Sequence, residues 1–375
     1  MGTNNLKATI RQKALDMGFD DVGFTSLEPL DLYVREIQSR PEMYDWVNTE
    51  AFSTLRGAAP GQKHPWAKSM VVLIRNYHKK RFPKELVGRY GRCYQVDERK
   101  IRGEEYRRFS GFLDFLKEEG VEARYDGEVP ARMGAARAGI ATYGKNCFAY
   151  ARKSMDQASW LESLAVVVDA DLEPDAPSLE VACPPDCEER CAKACPTGAL
   201  YEPLKMNPRK CVAYLSYYGP ELTPRELRKP MGTWVYGCDR CQEACPRNHA
   251  LMKRELPPHE ELQGQVANLE LPVLLRMSQS HYEEIVWPRF FYMSKKSLDR
   301  WQMNAARALG NRRDPDSVGA LSEALGDSPF ENVRAMAAWA LGRIGGEKAR
   351  SILEARRGQE QGVVKQEVDL ALAEG

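Results

Sequence analysis

The chain lacks any long apolar run. Its longest uninterrupted one, Ala335 to Leu341, is far short of the ~20 residues a membrane-spanning helix needs, so no transmembrane anchor is expected. The opening stretch, MGTNNLKATIRQKALDMGF, has neither an apolar signal core nor a twin-arginine motif, and a cytoplasmic protein is expected. Net charge is nearly absent as well. Lys and Arg number 54 against 53 Asp and Glu, so no global field points to a polyanionic partner. Histidine is scarce, with five in 375 residues, which leaves few candidates for imidazole chemistry. A content of 43% hydrophobic and 29% charged residues argues against wholesale disorder, and the length admits two or three domains.

Cysteine is what the chain has in excess. Of ten, Cys93 and Cys147 stand alone, and the other eight lie between residues 183 and 245. Without a secretion signal, disulfides are disfavoured and a dense cluster of thiols reads as metal ligands. The runs are CPPDCEERCAKACP (Cys183, Cys187, Cys191, Cys195), a lone Cys211, and CDRCQEACP (Cys238, Cys241, Cys245). Both end in C-x3-C-P, the ending of bacterial ferredoxin runs, in which the last cysteine ligates the other cluster. That crossing rule assigns Cys183, Cys187, Cys191 and Cys245 to one [4Fe-4S] cluster, and Cys195, Cys211, Cys238 and Cys241 to a second. Structural zinc sites generally use paired CxxC knuckles and would explain neither the doubled Cys-Pro ending nor Cys211. The first run is C-x3-C-x3-C-x3-C-P, one residue wider in each of its first two gaps than the ferredoxin pattern. The first cluster loop is therefore expected to be wide, with Cys93 or Cys147 as substitutes should Cys183 not bind; otherwise those two are small buried apolar residues.

Apolar spacing predicts a helix over residues 5–20 and a strand from Asp21 to Phe24. A near-continuous β-rich run over 68–77 is of the kind buried inside a sheet. A helix is predicted from Gly103 to Glu119, then strands from Val121 to Tyr125 and from Leu164 to Asp169. This alternation suggests an α/β domain with a central sheet. The Pro- and Asp-rich stretch 169–182 marks a boundary. Further on, Ala305-Ala306-Arg307-Ala308-Leu309-Gly310 recurs as Ala337-Ala338-Trp339-Ala340-Leu341-Gly342, a shift of 32 residues that suits HEAT-like helical hairpins stacking apolar faces. The expected domains are 1–175 (α/β), 176–256 (ferredoxin-like, two clusters), 257–300 (connecting helices) and 301–375 (repeats). Between Arg75 and Arg108 twelve Lys and Arg face five Asp and Glu, a local excess of +7, read either as a solvated face or as a phosphate-contacting surface.

Three segments resemble the epoxyqueuosine reductase family. The first is Cys195-Pro-Thr-Gly-Ala-Leu with Arg209-Lys-Cys211-Val-Ala-Tyr-Leu; the second is Glu226-Leu-Arg-Lys-Pro-Met-Gly running into Tyr236-Gly-Cys238-Asp-Arg-Cys241 and Cys245-Pro-Arg-Asn. The third is Tyr125-Asp126-Gly-Glu-Val-Pro followed by Ala138-Gly139-Ile-Ala-Thr-Tyr143-Gly144-Lys145-Asn146. The resemblance implies a cobalamin-binding α/β domain, two [4Fe-4S] clusters and reduction of an epoxide to an alkene on the queuosine precursor in the tRNA anticodon stem-loop. A low-potential donor such as flavodoxin or ferredoxin would supply electrons. Asp126 aligns with the family's catalytic aspartate, and as a proton donor it would need its pKa raised by burial against the corrin; the plainer reading is that it ends a strand and caps the next turn. Gly139, Tyr143, Gly144, Lys145 and Asn146 are either a loop approaching the corrin side chains or an ordinary glycine turn after a helix.

The chain also departs from that family. The usual Asp-Tyr-His is replaced by Cys93-Tyr-Gln-Val-Asp97-Glu-Arg-Lys, without histidine. Arg247 stands where a Trp is common, and Ala131-Arg132 follow Pro130 where an acidic residue is usual. These differences keep open a paralogous cobalamin and iron-sulfur reductase acting on a small electrophile, as reductive dehalogenases do, or a ferredoxin-type electron carrier. A helical-repeat tail has no obvious task in the former, and the absence of corrin absorption would mark the latter.

Overall fold

A computed structural model describes residues 3–96, 102–290 and 292–374. They fall into two compact units that do not follow chain order. The first comprises 1–80, 102–208 and 240–256, and the second 81–101, 209–239 and 257–375. The stretch 176–256 is thus shared between the two.

Among its described residues the first unit holds eight strands; Leu200–Glu202 and Lys205–Met206 pair with each other, and the six that frame the site are β1 (Asp21–Thr25), β2 (Ser69–Asn76), β3 (Ala123–Tyr125), β4 (Ala141–Tyr143), β5 (Ala149–Ala151) and β6 (Leu161–Val168). Four of them form a sheet in the order β1-β2-β6-β3, and β4 pairs with β5. Every pairing in the larger sheet is antiparallel, with Val22 opposite Leu73, Val72 opposite Ala165 and Tyr125 opposite Val166. Alternation of strands and helices in sequence had left strand direction open. All eight residues of β2 are buried because both sheet faces are covered. Val71 and Leu73 pack with Ile10 and Ala14 of helix α1 (Thr3–Asp16) and with Phe112 and Leu116 of α2 (Glu104–Glu118). Met70, Val72 and Ile74 face the other way, onto Met133 and Ala135 of α3 (Ala131–Arg137). Each such side chain contributes about 1.5–3 kcal/mol by leaving water. Gly23 lets the end of α3 lie on the sheet, since a Cβ there would sit 2.3 Å from the Ala138 carbonyl oxygen.

The second unit carries the repeats, as α4 (Leu298–Arg312), α5 (Val318–Asp327), α6 (Glu331–Ile344), α7 (Glu347–Arg357) and α8 (Gly362–Glu374). The recurring glycines are where helices touch. A Cβ on Gly310 of α4 would lie 2.7 Å from Ala340 Cα of α6, and one on Gly342 of α6 would lie 2.6 Å from Ala371 Cβ of α8. The sequence period thus reports a packing seam. Trp301 of α4 stacks on Tyr236, with ring centroids 5.1 Å apart and planes 5° from parallel, so the 209–239 segment shares one core with the repeats. Among the described residues, no helix is long and apolar enough to cross a membrane.

Candidate functional site

Asp126 follows directly on β3, where its amide donates to the Ala165 carbonyl of β6 at 3.2 Å. Its side chain is buried and fully engaged. Oδ1 accepts from Lys63 Nζ at 2.7 Å and from the Glu128 amide at 2.9 Å, and Oδ2 lies 2.8 Å from His64 Nε2. The bond to the Glu128 amide is the turn cap of the plainer reading; the contacts to Lys63 and His64 go beyond it. Lys63 also donates to Glu128 Oε2 at 2.6 Å, and Glu128 is further held by Arg56 and by the Ser53 amide. The turn Thr54–Gly57 can approach this closely because residue 57 lacks a side chain: a Cβ would meet the Glu128 carbonyl oxygen at 2.1 Å.

Burial pushes the Asp126 carboxyl up, but Lys63, His64 and the Glu128 amide outweigh it, and the group lies below its ordinary value. The upward shift expected of a proton donor is therefore not found, because the cations that hold the carboxylate stabilise its charged form. With Asp126 anionic, the imidazole N–H donates to Oδ2. Glu128 is also held below its ordinary value, at about 2, chiefly by Arg56. His64, Lys63 and Arg56 were not singled out from sequence. The five-histidine count pointed to few candidates without saying which one the fold would deliver to Asp126, and the Cys93–Lys100 segment searched for it runs into residues 97–101, outside the described residues.

The loop expected to approach a corrin touches the first group of thiols. The Lys145 amide donates to Cys183 Sγ at 3.3 Å, and Lys145 Nζ pairs with Glu189 at 3.2 Å. Asn146 Nδ2 donates to Tyr150 Oη at 2.9 Å. Gly139 has φ +71° and sits where a Cβ would be 2.3 Å from the Ala176 carbonyl oxygen, while a Cβ on Gly144 would be 2.3 Å from the Tyr150 ring. The space freed by both glycines is filled by the chain itself. Tyr143 is mostly buried, and burial raises its phenol.

Cys183, Cys187, Cys191 and Cys245 act on one another electrostatically. Burial pushes the Cys191 thiol up to about 11, with Cys245, Cys183 and Cys187 adding to the shift. Burial also raises Cys183, with Cys187 and Cys245 contributing and the Lys145 amide and Arg247 opposing. Cys245, distant in sequence, thus stands in the same electrostatic neighbourhood as the first run. The Lys145 amide aimed at the Cys183 sulfur suits a cluster ligand, since iron-sulfur thiolates take N–H···S bonds. The widened gap between Cys187 and Cys191 is accommodated by Glu188 and Glu189, both left-handed at φ 47° and 57°, a conformation uncommon outside glycine. Arg247, where a Trp was expected, lies over the Tyr150 ring at 4.3 Å and donates to the Ala182 carbonyl at 2.9 Å. Among the described residues no three donor side chains are arranged around a single metal ion.

Of the second set, Cys195 and Cys241 belong to the first unit and Cys211 and Cys238 to the second. Cys195 Sγ accepts from the Ala199 amide at 3.2 Å. Much of the basic run from Arg75 to Arg108 is neutralised by acids from elsewhere in the same unit. Arg75 pairs with Glu162 and Lys79 with Asp20; Arg89 pairs with Glu270 and Arg92 with Asp239. The local excess of +7 is therefore a poor measure of the field at the surface.

Comparisons with known proteins agree with this organisation. Residues 183–248 match the model of the 4Fe-4S double cluster binding domain, and residues 294–373 match that of HEAT repeats. The epoxyqueuosine reductase of Bacillus subtilis (strain 168) is 28% identical over 394 aligned residues, covering 100% of this chain and 98% of the relative. That of Staphylococcus aureus (strain NCTC 8325 / PS 47) is 28% identical over 98% of this chain and 96% of its own. A crystal structure of epoxyqueuosine reductase with an epoxyqueuosine-modified tRNA-Tyr stem loop superposes with a TM-score of 0.82 at 26% identity, covering 100% of this chain and 99% of that one.

Proposed function

We propose, for a chain that belongs to the epoxyqueuosine reductase family, that it reduces the epoxide of epoxyqueuosine in tRNA to the alkene of queuosine, drawing electrons through two [4Fe-4S] clusters. The observation that carries this reading is the buried array of Lys63, Asp126 and His64 at the end of β3, in a chain with two matched cluster sites. Converting an epoxide to an alkene consumes two electrons and two protons and releases the oxygen as water. The clusters supply the former, passing one electron at a time. The array is suited to the latter. A proton moving from Nε2 of protonated His64 to Asp126 Oδ2 leaves a neutral carboxyl, the local acid that a departing oxygen requires, while Lys63 and the Glu128 amide hold Oδ1 in place.

Cobalamin enters through the family resemblance, as the group that would supply a reduced, strongly nucleophilic cobalt. Gly139, Tyr143, Gly144, Lys145 and Asn146 are engaged with the chain and its first thiol group, and no step rests on them. The tRNA anticodon stem-loop is the proposed partner, and a flavodoxin or ferredoxin the proposed electron source.

The test is to incubate anaerobically purified protein, cobalamin and a low-potential reductant with epoxyqueuosine-containing tRNA, then digest and separate the nucleosides. Queuosine should accumulate. Unchanged epoxyqueuosine with both clusters loaded would overturn the substrate assignment.

A further inference from the structure

Helix α4 opens a repeat array, yet its inner face is not wholly apolar. Asn304 and Arg307 are completely buried, and Asn311, one turn beyond, is partly buried. All three donate to backbone carbonyls of one segment. Asn304 Nδ2 reaches the Ser216 oxygen at 2.7 Å and the Val235 oxygen at 3.1 Å. Arg307 forks onto the Gly232 oxygen, at 2.7 Å, and the Trp234 oxygen. Asn311 Nδ2 meets the Arg228 and Gly232 oxygens at 2.7 and 2.8 Å. The segment so held is the one between Cys211 and Cys238. Ser216, whose carbonyl Asn304 binds, accepts from the Gly237 amide at 3.0 Å through its hydroxyl, and Gly237 immediately precedes Cys238. On the far side of that cysteine, Asp239 Oδ2 accepts from the Arg92 amide and Nη1 at 2.9 and 2.8 Å.

We propose that α4 holds the cysteine-bearing segment of its own unit, with Arg307 and Asn304 as positioning residues that set the backbone carrying Cys211 and Cys238. A buried guanidinium is costly unless its charge is compensated, and among the described residues no carboxylate pairs with Arg307. Its partners are the Gly232 and Trp234 carbonyl oxygens, so its burial is tied to the segment that carries the two cysteines. The inference rests on the match to a double-cluster domain, not on the substrate.

The experiment uses the full chain, reconstituted anaerobically, as Arg307→Met, as Asn304→Ala, and as a control Arg357→Ala on the far surface of α7. Iron per chain and the electron paramagnetic resonance spectrum of the dithionite-reduced protein are measured. Wild type and control should show two mutually broadened cluster signals. Arg307→Met should lose about half the iron, one of the two four-iron clusters, and keep one unbroadened signal; Asn304→Ala should do the same to a lesser degree. Selective loss is a signature that general destabilisation would not give. Full iron with an unchanged spectrum in both variants, or equal loss of both clusters in the milder Asn304→Ala, would overturn the proposal. Neither readout involves tRNA, so failure of the substrate assignment would show separately.

Discussion

Replacing Asp126 by asparagine separates shape from charge at the proposed proton site. The amide oxygen can keep the 2.7 Å contact to Lys63 and the 2.9 Å contact to the Glu128 amide, while the amide nitrogen faces His64 Nε2, which accepts only in its other tautomer. What is lost is the anion. A hydrogen bond to a charged group is worth about 1.5–3 kcal/mol, and Lys63 does not become an orphan because Glu128 Oε2 still lies 2.6 Å away. The net cost is therefore about 2–3 kcal/mol, below the larger penalty of stranding a buried cation. Turnover should suffer far more, by ~100- to 10,000-fold, the usual contribution of a positioned acid.

The assay pairs nucleoside analysis of tRNA with iron content and a denaturation curve. Full turnover in Asp126→Asn would refute the reasoning; so would loss of iron, since it would trace the defect to folding. A pH series adds a second check. The Asp126 carboxyl is depressed in the folded chain, so its contribution is fully present above the unfolded value of about 3.9 and fades as pH falls through the folded one. The stability gap between wild type and Asp126→Asn should be constant near neutrality and close below about pH 4.

Three further substitutions probe other steps. His64→Gln keeps a donor toward Asp126 Oδ2 without a transferable proton, so turnover should fall by about tenfold or more while the melting curve and iron content stay near wild type; unchanged turnover would remove His64 from the proton path. Gly57→Ala places a Cβ 2.1 Å from the Glu128 carbonyl oxygen, and overpacking of that kind costs about 1–3 kcal/mol, with lower turnover because the Asp126–Glu128 turn must move; a variant as stable and active as wild type would show that the turn yields freely. In the repeats, Gly310→Ala and Gly319→Ala should act in opposite directions. The first meets Ala340 at 2.7 Å whereas nothing lies within 4 Å of the second, so denaturant midpoints should fall for Gly310→Ala and rise by the equivalent of up to ~1 kcal/mol for Gly319→Ala. Equal shifts would mean that helix propensity, not packing, governs both sites.

Periodicity made the scaffold legible. The β2 run and the α2 pattern are strong local signals because both elements bury whole faces. Strand direction was not legible, since it depends on which strands meet. The double-cluster domain was legible because Cys-Pro endings and spacing mark it, and the crossing that would join Cys245 to Cys183, Cys187 and Cys191 is the reading those endings suggest. His64 and Lys63 left no such mark. They sit on a single helical turn, Pro60–Lys63 with His64 as its cap, 62 residues from Asp126, and only the folding of that turn against the end of β3 joins them. The glycines of the 139–144 loop left two readings open, because a glycine needed for close packing and one needed for ligand approach look alike in sequence.

The polar residues of α4 sharpen that point. Asn304, Arg307 and Asn311 recur at spacings of three and four, so they form one helical stripe as surely as the alanines and leucines beside them. Read for apolar periodicity alone, the segment is a repeat whose charges belong on its surface. Polar side chains inside such a stripe can be tolerated only if each finds a partner, and here the partners are carbonyls at the ends of the short helices Val212–Tyr217 and Arg225–Arg228 and in the loop that follows, at Gly232, Trp234 and Val235. The two halves need each other: the 209–239 backbone cannot be buried without those donors, and the donors cannot be buried without that backbone. It follows that removing residues 301–375 would expose the cysteine-bearing segment along with any RNA-docking surface. Loss of activity on truncation would then say nothing about RNA unless iron content were measured beside it.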